Sequence, residues 1–341
     1  MSQLPPRLSR GRAIGVFAPS SPGARLYPER FEGGLRALAR FGGGEIVLPR
    51  QFERPGPLAA GSGAERSADL AELLRDNRVA AIFTTYGGWN ASDMWDHFPV
   101  AELRDHPKIV VGYSDSTALL LAIHSLTGLV VYYGPAVLPQ FGEHPEPFPY
   151  TLDHLERTII DGMGTVLAPP PGWTHEMLDW SDSQWRQRSR EMETDTGWSV
   201  WRQGAGSGVL FGGHLSTLNM MVGTPWLRVP DAPITLFLET CGVGASLPLV
   251  QRSLQHLRHA GVFDRTAALL FGRSPDALAE ADVSLASVVL EVCSGFDFPI
   301  VGELPFGHSD PMITLPIGCE ARVEADSDRT RIEILGPTAG P

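Results

Sequence analysis

Residues 79–86 read VAAIFTTY and residues 108–112 read KIVVG, two runs with scarcely a polar position on either face. A strand with one wet face would alternate, so these runs predict strands covered on both sides, as in a parallel sheet flanked by helices. Working outward, residues 13–18 (AIGVFA), 45–48 and 129–133 read as further strands, and 28–41, 65–77 and 115–126 as helices between them. That alternation implies right-handed βαβ units and a doubly wound sheet. Past residue 167 the pattern breaks. Residues 168–172 are APPPG, and 173–201 hold five of the eight tryptophans without helical or strand periodicity. A second α/β pattern follows, with strands at 208–211, 234–238, 267–271 and near 299–302, and helices near 215–221 and at 247–259. The tail, 313–335, alternates in the manner of a short antiparallel unit. The expected organisation is an α/β chain with an N-terminal domain at 1–167, a Trp-rich linker or substrate loop at 168–206, and a smaller α/β C-terminal domain at 207–341.

The 341 residues are 43% hydrophobic and 19% charged, a composition that buries a core without disulfides or metals. Lys and Arg total 27 against 39 Asp and Glu, a formal charge of −12. So acidic a surface argues against nucleic acid or an anionic membrane as partner. Lys108 is the single lysine, and no P-loop surrounds it. Cys241, Cys293 and Cys319 are odd in number and widely spaced, which suits reduced thiols of a cytoplasmic protein. Residues 1–12 lack the apolar core of a signal peptide, and no run approaches the ~20 apolar residues that span a bilayer. The histidines at 97, 106, 124, 144, 154, 256 and 259 lack partners at metal-ligand spacing, so no metal is expected.

Residues 110–120 (VVGYSDSTALL) place Ser114 between an apolar strand and a helix. A serine there can be a nucleophile at a sharp elbow, its Oγ exposed and the next N–H open to an oxyanion. It can equally be a helix N-cap, and Ser116 occupies the place of the last glycine of a G-x-S-x-G motif. Glu239 ends the apolar run 234–238, where open α/β sheets build their sites; a salt-bridged or capping glutamate is the alternative. His308 lies in the loop 304–311 (LPFGHSDP) and is either a base or a solvated loop residue. Ser, Glu and His in this order can make a nucleophile–base–orienter relay, though triads occur in several orders. Residues 85–90 (TYGGWN) carry two glycines that let backbone N–H groups approach a ligand, or that merely make a βα turn. The linker tryptophans either stack on a ligand or bury a loose segment.

Taken together, residues 14–22 (IGVFAPSSP), the GYSD turn, the FLE strand end and the PFGH loop resemble the LD-carboxypeptidase family of serine peptidases, over nearly the whole chain. The resemblance implies a Rossmann-like N-terminal domain with a parallel sheet, a smaller C-terminal domain, a site at their junction and a homodimer. It implies Ser114 as nucleophile, His308 as general base, Glu239 as the residue orienting it, the N–H groups of Gly88 and Asp115 as oxyanion hole, and no metal or organic cofactor. Residues 172–180 (GWTHEMLDW), with Gly87, Gly88 and Asn90, look like the MccF-like branch, the microcin C self-immunity peptidases. In that branch the tryptophan matching Trp173 stacks on adenine, which implies a peptidyl- or aminoacyl-nucleotide substrate bound by Gly87, Asn90, Trp173 and His214. His214 stands where the family usually carries Asn, Thr240 replaces a common acidic residue, and Ser116 a bulkier aliphatic one. The other readings are a murein tetrapeptide L,D-carboxypeptidase, an acyltransferase using the same acyl-enzyme, and a non-catalytic immunity protein that sequesters its ligand.

Overall fold

The apolar runs of the first half become neighbouring strands. β1 (Ala13–Phe17), β2 (Ile46–Val47), β3 (Val79–Thr84), β4 (Ile109–Gly112) and β5 (Val131–Tyr133) stand in the order β5-β4-β3-β1-β2, every pair parallel. All residues of β1, β4 and β5 are buried, which is why their sequences do not alternate. Helices Pro28–Gly42, Gly63–Arg75 and Thr117–Thr127 pack on these strands. The first has proline at its first position and ends on Gly43 in the left-handed conformation (φ 70°). The second opens with a capping box between Ser62 and Glu65. This computed structural model describes residues 2–52, 56, 58–195, 197–277, 283–326 and 329–341.

The second half adds β6 (Gly172–Trp173), β7 (Glu193–Thr194), β8 (Ser199–Arg202), β9 (Gly204–His214), β10 (Ile234–Glu239), β11 (Thr266–Gly272), β12 (Ile300–Leu304), β13 (Leu315–Ile317), β14 (Glu320–Ala325) and β15 (Arg331–Ile334). The second sheet runs β15-β14-β9-β10-β11-β12-β8, parallel from β9 to β12 and antiparallel at both margins. The architecture is thus mixed α/β, with a parallel-dominated first sheet and a mixed second one, as the sequence pattern implies.

Three details depart from the sequence reading. The Trp-rich stretch is not without strands: β6 and β7 pair as a two-residue ribbon, and β8 is the edge of the second sheet against β12. Strands of two to four residues leave no periodicity to detect. The strand expected at 208–211 extends over Gly204–His214, because its glycine-rich start pairs with β14. The tail also divides. β14 and β15 form the alternating hairpin, but β13 crosses to the first sheet and pairs antiparallel with β5. A single tail thereby joins both sheets.

Candidate active site

Ser114, Glu239, His308, Gly87, Gly88 and His214 all lie at, or just past, the C-terminal ends of strands β3, β4, β9, β10 and β12. Ser114 does not cap the helix that follows. The N-cap of Thr117–Thr127 is Ser116, with no side-chain capping bond, and Ser114 has φ 62°. A non-glycine residue there carries about 1–3 kcal/mol of strain that its surroundings must hold in place. One holding contact is the hydrogen bond that Ser114 N–H donates to Tyr133 Oη (3.3 Å). The elbow presents Ser114 Oγ 3.0 Å from His308 Nε2.

His308 Nδ1 lies 2.8 Å from Glu239 Oε2, and Tyr133 donates its hydroxyl proton to Glu239 Oε1 at 2.5 Å. Each nitrogen of the His308 ring is therefore engaged, so the residue is no freely solvated loop histidine. The loop is anchored next door by Phe306, which is fully buried and packs on Phe237. Glu239 is inaccessible to solvent. Burial drives its carboxyl towards protonation, but the neighbouring rings of His308 and His214 and the bonds from His308 and Tyr133 outweigh this and lower it to about 2. Burial works against the charged form of His308 as well. The Glu239 carboxylate overcomes it and holds the imidazole well above its ordinary 6.5.

Ser114 and His308 open into a cavity of about 290 Å³ that Gly87, Gly88 and Trp89 also line. A methyl group on Gly87 would sit 2.8 Å from Ser114 Oγ, and one on Gly88 (φ 153°) would collide with the hydroxyls of Ser20 and Ser21. Only glycine fits at either position. Asp115 fastens this loop to the elbow: its Oδ2 accepts from Ser20 Oγ (2.7 Å) and from Ala91 N–H (3.0 Å). Asn90 sits behind the loop, donating its N–H to Ser20 Oγ (3.2 Å), and does not line the cavity.

Of the linker tryptophans, the ring on the cavity wall is Trp180, not Trp173. Trp180 is wedged against Tyr27 and Tyr86, with the Arg30 guanidinium 4.4 Å from its centroid. Trp173 lies one layer further out, between the Arg273 guanidinium (4.5 Å) and the ring of His175 (5.4 Å), itself a cavity residue. Trp185, Trp198 and Trp201 pack into the protein body. The segment is pinned to the His308 loop by paired backbone bonds between Thr174 and Asp310 (2.7 and 2.9 Å). Beside it, Arg190 reaches both Glu143 (2.7 Å) and Asp310 (2.8 Å), and Gln140 donates to Asp310 (3.1 Å). His214 is buried behind His308, with ring centroids 5.6 Å apart. Tyr133, Trp180 and the Arg190 network escaped the sequence reading. Tyr133 bore no signal beyond its place at a strand end, and Trp180 was indistinguishable from its neighbours. Among the described residues no cluster of His, Cys, Asp and Glu could hold a metal ion, and no helix is long and apolar enough to cross a membrane.

The arrangement can transfer a proton from a serine to a carboxylate-backed imidazole. Family comparison agrees with that chemistry: the LD-carboxypeptidase N-terminal domain matches residues 14–134, and the C-terminal domain matches residues 207–323. The chain belongs to the LD-carboxypeptidase family. It is a hydrolase of this family's serine carboxypeptidase type. A Vibrio cholerae protein with a provisional carboxypeptidase name is 32% identical, over 96% of each chain. The microcin C7 self-immunity protein MccF of Escherichia coli is 28% identical, over 95% of this chain and 94% of that one. MccF in its apo state superposes with a TM-score of 0.91 at 27% identity, covering 99% and 100% of the two chains. MccF has also been solved with aspartyl sulfamoyl adenosine and with glutamyl sulfamoyl guanosine, both at a TM-score of 0.90. A provisionally named murein peptide carboxypeptidase of Bacillus subtilis is 27% identical over 100% of this chain and 97% of its own.

Proposed function

We propose that this LD-carboxypeptidase family member cleaves the amide joining an aminoacyl or peptidyl group to a nucleotide-like moiety, through an acyl-enzyme on Ser114. The observation that carries the reading is the doubly bonded ring of His308, with Ser114 Oγ 3.0 Å from one nitrogen and Glu239 2.8 Å from the other. Neutral His308 takes the Ser114 proton as Oγ attacks the carbonyl carbon, and the charge that develops on oxygen faces the N–H groups of Gly88 and Asp115. Glu239 holds Nδ1–H in place and stabilises the imidazolium. His308 then returns the proton to the departing nitrogen as the C–N bond breaks. Water, deprotonated by the same ring, releases the acyl group and restores Ser114.

Two features favour a nucleotide-bearing leaving group over a murein tetrapeptide. Trp180, braced by Tyr27, Tyr86 and Arg30, puts a fixed aromatic ring on the cavity wall, and a base stacked against it would contribute about 1–3 kcal/mol. A terminal D-alanine carboxylate would instead need a free cation. The two guanidinium groups on that wall, Arg30 and Arg190, are already engaged with Glu143, and Arg190 with Asp310 as well. The likeness to MccF, solved with aminoacyl sulfamoyl nucleosides, points the same way.

The test is mass-spectrometric turnover of an aminoacyl sulfamoyl adenosine beside a murein tetrapeptide ending in D-alanine, with Ser114→Ala as blank. Cleavage of the sulfamoyl amide, absent in Ser114→Ala, is the expected result. Release of D-alanine alone would move the substrate to peptidoglycan. Binding without turnover of either compound would favour a sequestering protein.

A further inference from the structure

Cys241 lies two residues beyond Glu239, where the chain leaves β10, and it lines the same cavity as Ser114 and His308. The hydrolytic relay makes no use of it. His214 Nε2 stands 3.7 Å from its sulfur, while Nδ1 of the same ring lies 3.1 Å from both Thr217 Oγ1 and Ser216 Oγ. Either hydroxyl can donate to the single Nδ1 lone pair, and we assign Nδ1 as that acceptor. The neutral ring then carries its proton on Nε2 and donates it to sulfur. An imidazole donor beside a partly exposed thiol is the setting in which thiolate accumulates and reacts.

The groups facing the sulfur are His214 from the end of β9, His308 from the loop after β12, Glu239 from its own strand and Tyr86 from the loop after β3. Burial raises the thiol, but the bonds from His214 and His308 prevail and bring it below its ordinary 9.0. Cys293 and Cys319 are buried, and burial pushes each up to about 12, at Cys293 against the pull of Arg202 and Arg258. The chain thus carries one cavity thiol paired with a histidine and two shielded thiols that serve as internal controls.

We propose that Cys241 and His214 form a reactive-thiolate site inside the hydrolytic cavity that takes hydroperoxides, and that its oxidation silences Ser114. Sulfur attacks the hydroxyl oxygen of the peroxide, an S–O bond forms and the O–O bond breaks. The thiolate is oxidised by two electrons to a sulfenic acid, and the peroxide is reduced to hydroxide or alkoxide, which solvent protonates. The new oxygen sits beside the His308 ring that Ser114 needs. The silencing rests on the hydrolase reading above; the oxidation does not.

The experiment treats the full chain with hydrogen peroxide in the presence of dimedone and maps the sulfenic adducts by peptide mass spectrometry. Ser114 is titrated in parallel with a fluorophosphonate probe. Dimedone is expected on Cys241 at least about tenfold faster than on Cys293 or Cys319, with Ser114 labelling lost in step. His214→Ala and the milder His214→Asn should each slow the adduct severalfold at neutral pH, because the sulfur loses its imidazole donor. In Cys241→Ser, whatever Ser114 labelling remains should survive peroxide. Adduct rates equal at all three cysteines, or unchanged in both His214 variants, would overturn the site. Complete Cys241 oxidation with undiminished Ser114 labelling would overturn the silencing. Failure of untreated protein to label at Ser114 would strike the hydrolase reading and the silencing, while the adduct map still decides the thiolate site.

Discussion

Tyr133→Phe removes one oxygen and keeps the ring, which packs at 5.4 Å on Phe237 and at 6.3 Å on Tyr113. The lost hydroxyl donates to Glu239 Oε1 (2.5 Å) and accepts from Ser114 N–H (3.3 Å). Glu239 is fully buried, so its Oε1 loses this donor out of reach of bulk water. A bond to a charged acceptor contributes about 1.5–3 kcal/mol and a long neutral one about 0.5–1, giving an expected loss of roughly 2–4 kcal/mol in folding stability. The elbow that aims Ser114 loosens in the same stroke, and at about 1.4 kcal/mol per factor of ten a further loss of about 1–2 kcal/mol in the transition state lowers kcat some five- to thirtyfold. Glu239, relieved of one donor, concentrates its charge on His308, so the pH at which the imidazole loses its proton should rise. Urea unfolding at an unchanged m-value gives the first quantity, and the pH dependence of kcat/KM gives the last. Stability within about 0.5 kcal/mol of the parent, together with an unmoved pH limb, would refute the bridging role assigned to this hydroxyl.

Turnover should fall as pH drops through a limb lying above 6.5, because Glu239 raises His308 and a protonated ring cannot accept the Ser114 proton. Stability runs the other way. The raised His308 contributes fully below about 6.5 and loses its contribution as pH climbs through the folded value. Glu239, lowered to about 2, contributes above its ordinary 4.5 and loses that contribution as pH falls towards 2. Glu239→Gln should therefore bring the activity limb down, and a native limb at or below 6.5 would contradict the pairing. Trp180→Ala should raise KM for an aminoacyl-nucleotide roughly five- to hundredfold with little change in kcat, as loss of one stacked base requires. Trp173→Ala should do less, since its ring packs between Arg273 and His175; equal KM effects would sink the distinction. Arg190→Met takes the cation from Asp310, which keeps the Gln140 bond (3.1 Å), and leaves Glu143 with the longer contact to Arg30 (3.4 Å). Stability should drop by about 3 kcal/mol in a urea titration, and a neutral substitution would show that the network is not a buried ion pair.

Much of this is legible in the sequence alone. The unalternating strands at 79–86 and 108–112 announced a buried parallel sheet, and they end at the Gly87–Gly88 loop and at Ser114. The helices at 215–221 and 247–259 appear with those limits. What escaped was short or distant. β6, β7 and β8 are too brief for a period, and their pairing is set by whichever edge lies free when the sheets form. The crossing of β13 to β5 could not be inferred from an alternating tail, because alternation tells which face is wet and says nothing of which strand lies alongside.

By itself the sequence determined the fold class, the family and the residue types available for chemistry, since periodicity and local motifs are properties of neighbours along the chain. The tertiary structure alone decided how they are used. It set Ser114 and Glu239, 194 and 69 positions from His308, within hydrogen-bonding reach of the two nitrogens of its ring. It placed Tyr133 under two of them, chose Trp180 over Trp173 for the cavity wall, and turned His214 towards Cys241. Each of these is a side-chain contact between elements remote in sequence. Such contacts are fixed by how the two sheets meet, and no local spacing encodes that meeting.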